Sequence, residues 1–193
     1  MIYPATSQYI DLANSSLKNG DIIVYPTDTL YGFGVDATNS DAIRRLNQLK
    51  GRSQPLSIVL ESIDHMHEFA IFEKNIEKEM RTLLPGAYTV LLPAKTSNLS
   101  PLVQNGFSNI GIRIPDHSFP LNLVKLFGQP IITTSINRHG DVPLNDVNQV
   151  AIDFPHFDLF ENSKHSPSKG STIIDYTTSP PSIVRKGDGP YPL

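Results

Sequence analysis

The sequence predicts an α/β fold, a sheet covered by helices, formed as one domain over residues 1–193. Short apolar runs of strand character alternate with segments whose apolar residues recur at helical spacing. No long Gly-, Ser- or Pro-rich stretch separates them as a linker would. A length of 193 residues, with 39% hydrophobic and 18% charged side chains, suits one soluble core.

Taken in order, residues 7–19 place Ile10, Ala13 and Leu17 on one helical face, and Gly20 is the stop. Residues 22–25 are an apolar run closed by Pro26, read as a buried strand. Ser40 is the expected N-cap of the next helix, with Asp41 at its positive end. Ile43, Leu46 and Leu49 line that helix as it runs into Lys50-Gly51-Arg52. Residues 56–60 read as a strand, Ser62 caps a short helix through Phe69, and residues 73–84 form another helix. Residues 88–92 and 110–114 are strands; 118–127 is a helix closed by Gly128. Residues 130–133 are a strand and 145–154 a helix. Residues 157–160, 172–176 and 182–185 are further short strands. The polar stretch 162–170 is expected to be a mobile loop. The pattern leaves the strand directions open.

Composition excludes several functions. There is no cysteine, so disulfides, thiolate metal sites and cysteine nucleophiles are ruled out. No run of 18 apolar residues is present, so no membrane span is expected. Met1-Ile2-Tyr3-Pro4 lacks the features of a secretory signal, which makes the cytoplasm the expected compartment. A net charge of −3 argues against a primary nucleic-acid binder while leaving room for a local basic pocket. His65-x-His67 could chelate, but no third ligand follows at diagnostic spacing, so no metal site is expected.

Polar groups gather where the apolar runs end, the usual place for ligands in open α/β sheets. The first cluster is residues 25–34, with Thr27, Asp28, Thr29, Tyr31, Gly32 and Gly34. It is either a glycine-bearing turn or a ligand loop, and it has neither a Walker-type phosphate loop nor a dinucleotide fingerprint. Lys50-Gly51-Arg52 is either favourable charge at a helix C-terminus or a phosphate clamp. Ser135-Ile136-Asn137 is either turn chemistry or a donor set for phosphate, ribose or carboxylate. Arg113, inside an apolar strand, needs an anionic partner, from the protein or from a ligand. Ser171 and Arg185 close the set, with turn chemistry and an exposed edge charge as their plainer readings.

The order and spacing of these clusters resemble the YrdC family. The resemblance is carried by residues 25–37, Lys50-Gly51-Arg52, Pro55-Leu56, residues 84–89, residues 110–117, Ser135-x-Asn137, residues 171–175 and residues 183–187. It runs from about Gly20 to Gly187. It implies a twisted open mixed sheet with flanking helices and a large concave basic pocket. It implies synthesis of threonylcarbamoyl-AMP and pyrophosphate from L-threonine, bicarbonate and ATP. Other proteins would then transfer the threonylcarbamoyl group to tRNA, so any engagement of tRNA by this chain is expected to be indirect or weak. By the same resemblance Lys50, Arg52, Ser135, Asn137 and Arg185 hold ATP, with Lys50 and Arg52 closest to the chemistry. Thr29, Arg113 and Ser171 hold threonine. Mg²⁺ is expected to bridge the pyrophosphate oxygens, held by ATP and water. The tail, residues 187–193, and residues 85–89 also resemble the YciO branch, for which breakdown of threonylcarbamoyl-AMP is the alternative activity. A tRNA or double-stranded RNA-binding module is the other alternative. Lys50-x-Arg52 and Ser135-x-Asn137 favour the synthase.

Overall fold

The computed structural model describes residues 1–51, 53–137, 143–162 and 167–191. The strands are β1 (Ile2–Pro4), β2 (Ile23–Tyr25), β3 (Gly32–Gly34), β4 (Ser57–Val59), β5 (Tyr88–Pro93), β6 (Asn109–Arg113), β7 (Ile131–Ser135), β8 (Asp158–Glu161), β9 (Thr172–Asp175) and β10 (Ser182–Arg185). The helices are α1 (Ile10–Lys18), α2 (Ser40–Lys50), α3 (Ile63–Met66), α4 (Lys74–Leu83), α5 (Pro101–Gln104), α6 (Ser118–Phe127) and α7 (Val147–Asp153). The strands form one open sheet in the order β1-β8-β2-β3-β7-β4-β6-β5-β9-β10. The sheet is mixed. β8 runs parallel to β1 and β2, β6 parallel to β4, and β9 parallel to β5. The pairs β2–β3, β3–β7, β4–β7, β5–β6 and β9–β10 are antiparallel.

Side chains alternate across the sheet with period two, and this decides where the site lies. Val24, Ile58, Val90, Ile112, Ile132 and Ile174 all enter the larger apolar cluster, together with residues of α2, α3, α4 and α7. Their neighbours Ile23, Tyr25, Val59 and Ile131 face the other way, where α1 and α6 supply Ala13, Leu17, Phe119, Leu123 and Val124. On that second face α1 and α6 pack over β2, β8 and one end of β4 and β7. Farther along, the same face carries Ser57, Thr89, Arg113 and Thr133, which line a cavity instead. A polar floor is thus left where the helices stop. Gly111 sits in this floor because a Cβ there would lie 2.5 Å from Ser57 Oγ.

Three elements were not expected from the sequence: β1, β3 and α5. β3 was hidden by its glycines. Gly34 is required because a Cβ would come within 2.6 Å of the Tyr25 ring. The cap of α2 is also corrected. Asn39 Oδ1, not Ser40, accepts from the amides of Asp41 and Ala42 at 3.0 Å each, while Ser40 Oγ meets Ser100 Oγ at 2.7 Å. Of the stretch expected to be a mobile loop, residues 163–166 lie outside the described residues. Its flanks are tied down: Asn162 N donates to Tyr31 Oη at 3.0 Å, and Lys169 N donates to Asp188 Oδ1 at 3.0 Å. No helix among the described residues is long and apolar enough to cross a membrane.

Candidate active site

The cavity on the polar floor has a volume of about 310 Å³. Its cationic lining residues are Arg113, Lys169 and Arg185, and no carboxylate is among the lining residues described.

Arg113 ends β6 and is buried. Its Nη2 donates to Asp28 Oδ1 at 2.8 Å and to Thr29 Oγ1 at 3.0 Å. The turn after β2 brings both acceptors there. Thr27 Oγ1 accepts the Thr29 amide at 3.1 Å and donates to Leu30 O at 2.7 Å, which folds the chain back. Asp116 N then donates to Asp28 Oδ2 at 3.1 Å. The Nε–H of Arg113 is buried with no partner among the described residues. An unspent donor on a buried cation is costly unless a ligand takes it up. Burial pulls the Arg113 pKa down, and the Asp28 carboxylate opposes that shift.

Ser171 and Arg185 meet on the adjacent wall. Ser171 Oγ lies 2.7 Å from Thr89 Oγ1, and Arg185 Nη2 donates to Ser171 O at 2.8 Å and to Ser171 Oγ at 3.2 Å. The pKa of Arg185 is lowered by burial and then by the charge of Arg113. Two guanidiniums that repel across a common cavity define a seat for an anion, which would relieve the repulsion.

Lys50 occupies a different position. It is 1% exposed, and among its partners are Ser135 O at 2.5 Å, Asn137 O at 3.1 Å and Asn137 Oδ1 at 3.0 Å. Its ammonium also lies 5.7 Å from the centroid of the Phe33 ring. Ser135 Oγ donates to Asn137 Oδ1 at 2.7 Å. Ser135 lines the cavity, while Lys50 stands behind it and holds the end of β7. Arg52 lies outside the described residues. The eight residues singled out from the sequence therefore divide. Thr29, Arg113, Ser135, Ser171 and Arg185 line one cavity, Lys50 and Asn137 brace its edge, and Arg52 is not placed.

Sequence reasoning missed Thr89 and Lys169. Thr89 could have been found, since it is a polar residue at the opposite parity to Val90 and Leu92 in an apolar strand. Lys169 carried no such signal. Asp28 was noted beside the first cluster but not paired with Arg113, because the two are 85 positions apart.

His117 adds a pH-sensitive support beside Asp28. Its Nδ1 accepts the Phe119 amide at 3.2 Å and caps α6, and its Nε2 lies 3.1 Å from Asn162 Nδ2. Burial lowers its pKa from the ordinary 6.5, against the opposing pull of Asp28 and Asp116. Below that ordinary value the unfolded chain takes up a proton that the folded chain resists, so stability falls as pH drops. Melting temperature is expected to fall between about pH 7 and pH 5.5, and the slope is expected to flatten in His117→Asn, which caps without titrating. Equal slopes would contradict this.

A buried arginine with an open donor, a second arginine beside it and converging hydroxyls on an open α/β sheet form a cavity suited to an anion. A family model, Sua5_yciO_yrdC, described as Telomere recombination, matches residues 15–187. The chain belongs to this family. The threonylcarbamoyl-AMP synthase of Bacillus subtilis is 33% identical over 180 residues, which cover 91% of this chain and 52% of the relative. The crystal structure of Pyrococcus abyssi Sua5 complexed with L-threonine superposes with a TM-score of 0.86 at 26% identity, covering 97% of this chain and 56% of that one. Escherichia coli YciO has the same fold, with a TM-score of 0.88 at 22% identity, covering 97% of this chain and 93% of that one. The chain spans about half the length of the first two curated relatives it matches.

Proposed function

We propose that this chain makes threonylcarbamoyl-AMP from L-threonine, bicarbonate and ATP, as a nucleotidyltransferase serving tRNA modification. The observation that carries the reading is the convergence of Arg113, Arg185, Thr29 and Ser171 on one cavity within a domain of this family. The named activity of the Bacillus subtilis relative and the threonine complex of the Pyrococcus abyssi relative support it. The continuous sheet supports treating residues 1–193 as one domain.

The threonine carboxylate is assigned to Arg113, whose open Nε–H suits a carboxylate oxygen, with Thr29, Ser171 and Thr89 as hydroxyl partners. The threonine amine adds to bicarbonate-derived carbon dioxide and loses a proton, giving a carbamate. A carbamate oxygen attacks the α-phosphorus of ATP, the bond to the β-phosphate oxygen breaks, and pyrophosphate leaves. Carbamate and α-phosphate about 4 Å apart repel by about 4 kcal/mol at an intermediate dielectric. Arg113 and Arg185 offset that repulsion and stabilise the charge of the transition state. Catalysis is positioning and neutralisation, with no side-chain nucleophile. Ser135 and Asn137, braced by Lys50, are assigned to the nucleotide, and Arg52 is assigned beside them by resemblance. The cavity wall offers no carboxylate among its described residues, so Mg²⁺ would enter with ATP and would offset the charge of its phosphates. Transfer to tRNA is assigned to other proteins, and the cytoplasm remains the proposed compartment.

Pyrophosphate release is the test. It is expected only when threonine, bicarbonate and ATP are all present, with threonylcarbamoyl-AMP appearing in equal amount. Release at the same rate without threonine or bicarbonate would overturn the reading.

A further inference from the structure

We propose that Lys169 is a further substrate-contacting residue, held at the cavity rim by Asp188 to meet the leaving pyrophosphate end of a nucleoside triphosphate. The proposal rests on the reading of the cavity as an ATP site.

The lining cations differ in how far the protein has already satisfied them. Arg113 is engaged by Asp28 and Thr29, and Arg185 by Ser171. Lys169 also lines the cavity, is exposed, and has no acceptor for its ammonium among the described residues. An exposed lysine usually sweeps a wide volume, and fixing its backbone narrows that volume. Here the backbone is fixed from a distance. Lys169 N donates to Asp188 Oδ1 at 3.0 Å, and Ser168 Oγ donates to Asp188 Oδ2. Gly170 N donates to Ser168 Oγ at 2.9 Å, and Asp188 N donates to Gly170 O at 2.8 Å. Asp188 thus closes a clasp around Lys169 from both sides. Gly170 adopts φ +86°, which turns the chain between Lys169 and Ser171.

The clasp is itself anchored. Gly187 N donates to Thr172 Oγ1 at 3.0 Å, Thr172 Oγ1 donates to Gly189 O at 2.5 Å, and Tyr88 Oη donates to Pro190 O at 2.8 Å. Among the described residues, no carboxylate lines the cavity to compete for the ammonium. Pyrophosphate must leave through the cavity mouth, and it is the most highly charged product. A cation held at the rim fits that end of the substrate better than the α-phosphate, which the proposed reading places near Arg113.

Calorimetry with ATP, AMP and threonine tests the proposal on wild type, Lys169→Ala, Lys169→Arg and Asp188→Asn. Lys169→Ala is expected to weaken ATP roughly tenfold, as for one charge-assisted phosphate contact, with AMP and threonine affinities unchanged. Lys169→Arg is expected to restore most of the loss. Asp188→Asn is expected to weaken ATP in the wild-type background but not in the Lys169→Ala background, because it acts through Lys169. An unchanged ratio of ATP to AMP affinity in Lys169→Ala would overturn the proposal, as would equal effects of Asp188→Asn in the two backgrounds. A wild-type protein that binds neither ATP nor threonine would sink the functional reading and this inference with it. Normal wild-type binding with an indifferent Lys169→Ala would sink this inference alone.

Discussion

Arg113→Ala is expected to abolish threonine-dependent adenylation and to destabilise the fold at the same time. Arg113 and Asp28 form an ion pair whose side chains are 9% and 10% exposed. Removing one partner of a buried pair strands the other, a loss of about 3–5 kcal/mol. Threonine affinity is expected to fall at least about tenfold, since a hydrogen bond to a charged group contributes about 1.5–3 kcal/mol. The two effects separate in a double variant. Asp28→Asn with Arg113→Met removes both charges at similar volume and is expected to recover much of the stability, while threonine binding stays lost. Denaturant midpoints and threonine titrations on the two variants read both quantities. Wild-type threonine affinity in Arg113→Ala would refute the carboxylate assignment.

Lys50→Ala carries the second large effect, by an indirect route. The Lys50 ammonium holds the carbonyls of Ser135 and Asn137 and the side chain of Asn137. Without it those half-buried acceptors each lose one donor, at about 1–3 kcal/mol for each that water does not reach. The end of β7 is then free to move, and Ser135 leaves its place on the cavity wall. ATP affinity is expected to fall at least about tenfold, with threonine affinity much less affected. Lys50→Met, which keeps the stem in the apolar setting near Phe33, is expected to recover part of the packing but not the affinity. The positions of Ser135 and Asn137 are the readout that identifies a brace. A crystal structure of Lys50→Met with both residues unmoved and ATP affinity lost would instead make Lys50 a direct phosphate contact.

The regular elements were legible because each is written locally. The Ile10, Ala13, Leu17 stripe, the run before Pro26, and the glycines after α2 and α6 act within a few residues of the structure they dictate. β3 escaped because its strand character lies in its pairing with β2 and β7 rather than in its side chains. Arg113, Ser171 and Arg185 were legible as candidates because polar groups stand out at the ends of apolar strands. Whether each met a ligand, a carboxylate or solvent was not, because the partner comes from elsewhere in the chain. The pairing of Arg113 with Asp28 spans 85 positions, and the hold of Asp188 on Lys169 spans 19.

By itself, then, the sequence determined the α/β class, most of the strands and helices, the family, and a short set of candidate polar residues. Only the tertiary structure decided that Lys50 braces the site from behind, that Asp28 neutralises Arg113, and that Lys169 reaches the cavity rim. The reason is physical. Propensity and periodicity act over one or two turns of chain, whereas desolvation and charge pairing depend on which distant strands lie side by side.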